Sequence, residues 1–206
     1  MSWQLIESDA ALADVLAEAQ QVDSVVIDTE FMRRNTFFPE VALLQISFGG
    51  TAWLIDPLAI SDTGGLAALL TDPGVVKVLH SGSEDLEVFQ RWLGVLPQPL
   101  FDTLRAAALL DMGFGLGYGA LVEAVCHVAL EKGETRSDWL QRPLTDSQCH
   151  YAAQDVIYLH DIWLSLSQLC RQQDKYDWVL ADGEDAVATL ASNGRDYYKR
   201  IKSAWK

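Results

Sequence analysis

Apolar positions along the chain change their period. In the first third they come in short β-branched or alternating runs, and later they recur at the three-to-four spacing of helices. Trp3 to Ile6 reads as a short extended segment. Ser8 can cap the helix that follows, with Leu12, Val15, Leu16 and Ala19 on one face. Val25 to Glu30 is the first clear strand, and Phe31 to Glu40 reads as a loop. Val41–Phe48 and Thr51–Asp56 are apolar runs around Gly49-Gly50, a pair able to take the positive φ angles of a tight hairpin. A short helix is predicted over 63–70 and a buried strand over 75–79. His80-Ser81-Gly82-Ser83 then turns into a helix over 84–92, with Ser81 and Glu84 at capping-box spacing and Ser83 as an alternative cap. Residues 101–104 lead into a helical run to Leu110, and a further helix covers 120–127. Thr145 and Gln148 fit a capping box opening a long helix to about Gln173, and the last helix is predicted over 182–192. Strands first, helices later and a hairpin near the start predict an α/β fold, a mixed sheet flanked by helices.

The first strand ends in two acids. Alternation puts Asp28 and Glu30 on one face, roughly 6.5–7 Å apart along the strand, with Val25 and Ile27 on the other. Paired carboxylates at the end of an apolar strand repel each other and resist desolvation. A polar turn would explain the pair. So would a divalent cation, since no Lys or Arg lies in the run. Two more acids stand at telling places: Asp85 in the first turn of a helix, and Asp155 on the long helix one turn after Tyr151. Glycines at 113, 115, 117 and 119 lack the preceding strand and the following Lys-Ser/Thr of a phosphate cradle, so this stretch reads as a connector.

Composition narrows the setting. The 206 residues suffice for one domain with a sizeable core, and half are hydrophobic. No apolar run reaches transmembrane length, and the start of the chain does not read as a signal peptide. Three cysteines without a C-x-x-C pair suit a reducing cytoplasm. The net charge of −14 runs against a nucleic-acid binder, although residues 195–206 alone carry +4.

D-T-E-F at 28–31, T-F-F-P at 36–39 and L-L-Q at 43–45 form one block. H-S-G-S-E-D-L-E-V-F at 80–89 forms a second. E-T-R-S-D-W at 134–139, R-P-L at 142–144 and Y-A-A-Q-D-V at 151–156 form a third. In order and spacing they resemble the DEDD superfamily of 3′→5′ exonucleases, tyrosine subgroup, and within it the ribonuclease D family. The resemblance implies the ribonuclease-H-like exonuclease fold for residues 1–192. It also implies that 193–206 is a basic link toward helical C-terminal domains of that family. Metal ligands would be Asp28, Glu30, Asp85 and Asp155, holding two divalent cations, Mg²⁺ or Mn²⁺. Tyr151 would orient the attacking water.

The sister subgroup places a histidine five residues before the last acid, and His150 has that spacing. Helix geometry favours tyrosine, because i to i+4 is a rotation of about 40° and i to i+5 about 140°. Phe31 and Met32 would wedge against terminal bases, with core packing the alternative for Phe31. Arg33, Arg34, Lys132, Arg136 and Arg142 are phosphate contacts or solvated charges. His80 ends a strand beside Asp85 and is a substrate-binding candidate, with a structural hydrogen-bonding role favoured over metal binding. The implied activity is hydrolysis of RNA from a free 3′ end to nucleoside 5′-monophosphates, especially in tRNA precursors; the oligomeric state stays open, with a monomer favoured. The alternatives are a DNA or short-oligonucleotide exonuclease and a non-catalytic RNA-binding module.

Overall fold

The computed structural model describes residues 2–34, 36–130, 133–134 and 137–193. Six strands form one sheet: β1 (Ser2–Ile6), β2 (Ser24–Met32), β3 (Glu40–Phe48), β4 (Thr51–Ile55), β5 (Val76–Leu79) and β6 (Leu100–Asp102). Their order is β1-β4-β3-β2-β5-β6. The middle three are an antiparallel meander, and β1, β5 and β6 pair parallel to their neighbours. Gly49 and Gly50, at φ +61° and +82°, make the β3–β4 turn, as a type I′ hairpin requires.

Helices cover both faces. On one side, α1 (Asp9–Ala19), α2 (Gly64–Thr71) and α3 (Ser83–Trp92) pack on Val25, Ile27, Leu44 and Ile46. On the other, α4 (Thr103–Leu109), α5 (Tyr118–Cys126) and α6 (Asp146–Gln172) pack on Val26, Leu43 and Leu54. The alternation expected for β2 thus sends its odd and even positions into different cores. The predicted Thr145–Gln148 capping box is present at the start of α6. Ala152 and Ala153 let this helix press onto the sheet beside the first-strand acids.

Four sequence expectations change. β2 continues through Phe31 and Met32, which pair with Val41 and Glu40 beyond a bulge after Glu30, so the predicted loop starts later. The three residues Leu100–Asp102 form an edge strand too short to show a period. α7 begins at Tyr176 and ends at Asn193; it passes the β6 edge, placing Val179 in one core and Leu190 in the other. At its midpoint a Cβ on Gly183 would lie 2.2 Å from the Leu100 carbonyl oxygen, so only glycine lets this helix lie on the strand. Finally, neither Ser81 nor Ser83 caps α3. The Asp102 carboxylate instead accepts from the Ser81 and Gly82 N–H groups (2.9 and 3.1 Å) and from Leu104 N–H (2.8 Å). One side chain so ties the β5–α3 turn to the start of α4. The basic segment after Asn193 lies outside the described residues. Among those described, no helix is long and apolar enough to cross a membrane.

Candidate active site

Asp28 and Glu30 leave β2 on the face covered by α6, and α6 brings Asp155 down onto them. One carboxylate oxygen of each lies within 4.8 Å of those of the other two. They line a pocket of about 210 Å³ with His80, Tyr118, Tyr151 and Leu159. Tyr151 and Asp155 share a helix face, as their spacing predicts. His150 points elsewhere: it is exposed, with Nδ1 2.8 Å from the Asp146 carbonyl and its ring edge-on to Trp3.

Asp85 arrives from the opposite layer and does not line this pocket. It is buried, and the Thr29 hydroxyl donates to its carboxylate at 2.5 Å. Thr29 lies between Asp28 and Glu30 and faces away from them, so Asp85 sits beneath the strand that carries the pair. Its charge still reaches through. Of the neighbouring acids, Asp85 raises the Asp28 pKa most, ahead of Asp155 and Glu30.

Electrostatics describe a cluster short of positive charge. Burial, then repulsion from Asp155 and Asp85, pushes Glu30 up to about 9. Burial lifts Asp155 to about 7 and Asp85 to about 6, the latter opposed by the Thr29 hydroxyl. Burial and three neighbouring acids hold Asp28 well above the carboxylate range. Such a cluster must bind either protons or a cation. Closely grouped carboxylate oxygens are hard ligands, and they suit Mg²⁺ or Mn²⁺. The donor set therefore fits the ions that the resemblance implies.

The aromatic hydroxyls stay protonated. Burial and the acids raise Tyr151, so it is a neutral O–H at working pH. Tyr118, unnoticed in the sequence, is raised for the same reasons; its hydroxyl donates to the Asp155 and Gln154 carbonyls at 2.6 and 3.0 Å. Only its position at the head of a helix after a glycine run could have marked it. His80 lines the pocket with its Nδ1 3.0 Å from Thr103 Oγ1. Burial lowers its pKa below the usual histidine value.

The expected substrate contacts scatter. Phe31 is partly buried, with the Arg33 guanidinium 5.6 Å from its ring centre. Arg33 pairs with Glu87 at 2.6 Å and Glu84 at 3.7 Å, and Arg34 pairs with Asp138 at 3.0 Å. Met32 packs partly buried against the α6-side core. Lys132 and Arg136 lie outside the described residues. Arg142 is a correction: all five of its N–H donors are engaged, two by Asp56 and the others by the Trp139, Gln141 and Ala42 carbonyls. It is a strut between the α6 approach and the sheet, with no donor left for a phosphate.

Comparison with known proteins agrees with this geometry. The family model for a 3′–5′ exonuclease matches residues 3–171. Ribonuclease D of Pseudomonas paraeruginosa is 49% identical over 205 residues, covering 98% of this chain and 54% of the relative. The crystal structure of Escherichia coli RNase D, an exoribonuclease involved in structured RNA processing, superposes with a TM-score of 0.91 at 39% identity, covering 100% of this chain and 55% of that one. Brucella melitensis NrnC with bound Mg²⁺ superposes with a TM-score of 0.81 at 26% identity, covering both chains fully. The chain spans about half the length of the curated ribonuclease D relatives it matches. On the match over most of its length, the chain belongs to the 3′–5′ exonuclease family, within which its relatives are ribonuclease D proteins.

Proposed function

We propose that this chain is the catalytic part of a metal-dependent 3′→5′ exoribonuclease that releases nucleoside 5′-monophosphates. The observation that carries the reading is the convergence of the Asp28, Glu30 and Asp155 oxygens within 4.8 Å, in a pocket shared with Tyr151. Asp28, Glu30 and Asp155 would hold one divalent ion. The resemblance assigns Asp85 to a second ion; in this structure its carboxylate is held by the Thr29 hydroxyl, and its charge raises the Asp28 pKa more than any other acid does. Two such ions, Mg²⁺ or Mn²⁺, would supply an activated water and offset charge on the scissile phosphate and the leaving 3′ oxygen when bound. The protein's own part is to hold, orient and exclude. The neutral Tyr151 hydroxyl orients the attacking water by hydrogen bonding; with its pKa raised, it does not remove the proton. Tyr118 and His80 wall the pocket.

The ribonuclease D relatives, one of them an exoribonuclease involved in structured RNA processing, support RNA as the substrate, and we take RNA with a free 3′ end, tRNA precursors among the candidates, as the finer reading. A short-oligonucleotide substrate is the second reading, because NrnC bound to pGG matches the full length of this chain and of itself. The test is incubation of 5′-end-labelled single-stranded RNA with Mn²⁺, with and without chelator, beside DNA and dinucleotides. A metal-dependent ladder one nucleotide apart on RNA is expected. Cleavage confined to dinucleotides would favour the second reading, and a binding shift with no cleavage would refute the enzyme.

A further inference from the structure

Gln45 is fully buried in the middle of β3, and neither its Nε2 nor its Oε1 has a hydrogen-bond partner among the described residues. An unpaired buried amide is costly, and apolar side chains of its size would fit a core better. Its place in the ladder is informative. Gln45 is directly opposite Asp28, on the same face of the sheet and under the same helix. Directly opposed residues on neighbouring strands have Cβ atoms about 4.5–5.5 Å apart. Three other buried polar side chains nearby are already engaged: Ser47 donates to the Thr51 carbonyl, Thr29 to Asp85, and Tyr118 to the α6 backbone. Among the described residues, no Lys or Arg lines the pocket. An ionised carboxylate has about four lone-pair sites, and a metal occupies only the side turned toward it.

We propose that Gln45 is the positioning residue of Asp28: when the divalent ions are bound, its buried amide, unpartnered in the metal-free structure, donates to the Asp28 carboxylate and turns that group's ligand oxygen toward them. The amide is retained at a cost to the metal-free fold because it orders the ligand of the loaded one. This inference rests on Asp28 being a metal ligand, and it adds the L-L-Q motif's glutamine to the machinery. Groups behind a metal ligand characteristically change metal affinity by about 10–100-fold when removed.

The test is calorimetric titration of Mn²⁺ alone into the full chain, without RNA, alongside thermal unfolding in chelator. Gln45→Met, a near-isostere without a donor, is expected to weaken Mn²⁺ binding about tenfold or more. Its metal-free melting temperature should match or exceed that of the parent. Ser47→Ala, at the next position on the same face, should leave Mn²⁺ affinity within about twofold. The proposal is overturned if Gln45→Met binds Mn²⁺ like the parent, or if Ser47→Ala weakens it equally. It is also overturned if both Gln45→Met and Gln45→Leu fail to fold, because the amide would then be a structural bond. A parent chain that binds no Mn²⁺ would remove the metal site itself, a different failure.

Discussion

Glu30 gives the sharpest test of the electrostatics. Its carboxyl titrates near 4.5 in an unfolded chain and at about 9 in the folded, metal-free protein. A raised acid favours folding while both states are protonated, below the unfolded value. That stability is lost as pH rises toward the folded value. At about 1.4 kcal/mol per unit, the full shift would amount to roughly 6 kcal/mol if Glu30 alone bore it. The repulsion is shared with Asp155 and Asp85, so the loss assignable to Glu30 between pH 5 and 9 is nearer about 3 kcal/mol. For a domain of this size that is a fall of about 6–12 °C in melting temperature. The assay is thermal unfolding in chelator at half-unit steps across that range, for the parent and for Glu30→Gln. The difference between the two curves removes the contribution of the overall acidic charge. Glu30→Gln should be the flatter curve and, at pH 8 to 9, the more stable protein. Adding Mn²⁺ should raise the parent's melting temperature more at pH 8 than at pH 5, where protons compete for the ligands. Parallel curves for parent and variant in chelator would refute the partly buried, mutually repelling cluster.

Three further outcomes are expected. Tyr151→Phe should lower kcat at least about 100-fold while Mn²⁺ affinity is retained, and His150→Ala should change kcat less than about threefold; steady-state rates showing the reverse would exchange their roles. Arg142→Met leaves the nearly buried Asp56 without its ion partner and should cost about 3–5 kcal/mol in urea unfolding. At a temperature where the variant is folded its RNA affinity should match the parent's, and a selective loss of affinity would restore it as a phosphate contact. Gly183→Ala would press a methyl into the Leu100 carbonyl and should cost more than about 2 kcal/mol, with Ala186→Gly on the same helix costing about 1 kcal/mol or less; equal losses would mean α7 does not lie on β6 as described.

Much of this protein can be read from local patterns. The alternation in Val25–Glu30 separates the two cores and pairs Asp28 with Glu30, because side-chain direction in a strand repeats every two residues. The four-residue spacing of Tyr151 and Asp155 puts both on one helix face, and the Thr145–Gln148 box starts that helix where predicted. These features depend only on residues near one another in sequence. What needed the tertiary structure involves partners far apart. Asp102 replaces the expected serine caps from 20 residues away, and Asp56 takes Arg142 from a distance of 86. Asp85 approaches from the layer opposite Asp155, so the fourth acid lies behind the strand and is held by Thr29. Gln45 becomes notable only when strand pairing sets it against Asp28. A side chain's local conformation follows from its neighbours in the chain, but which polar group meets which across the core is decided when the sheet and helices pack.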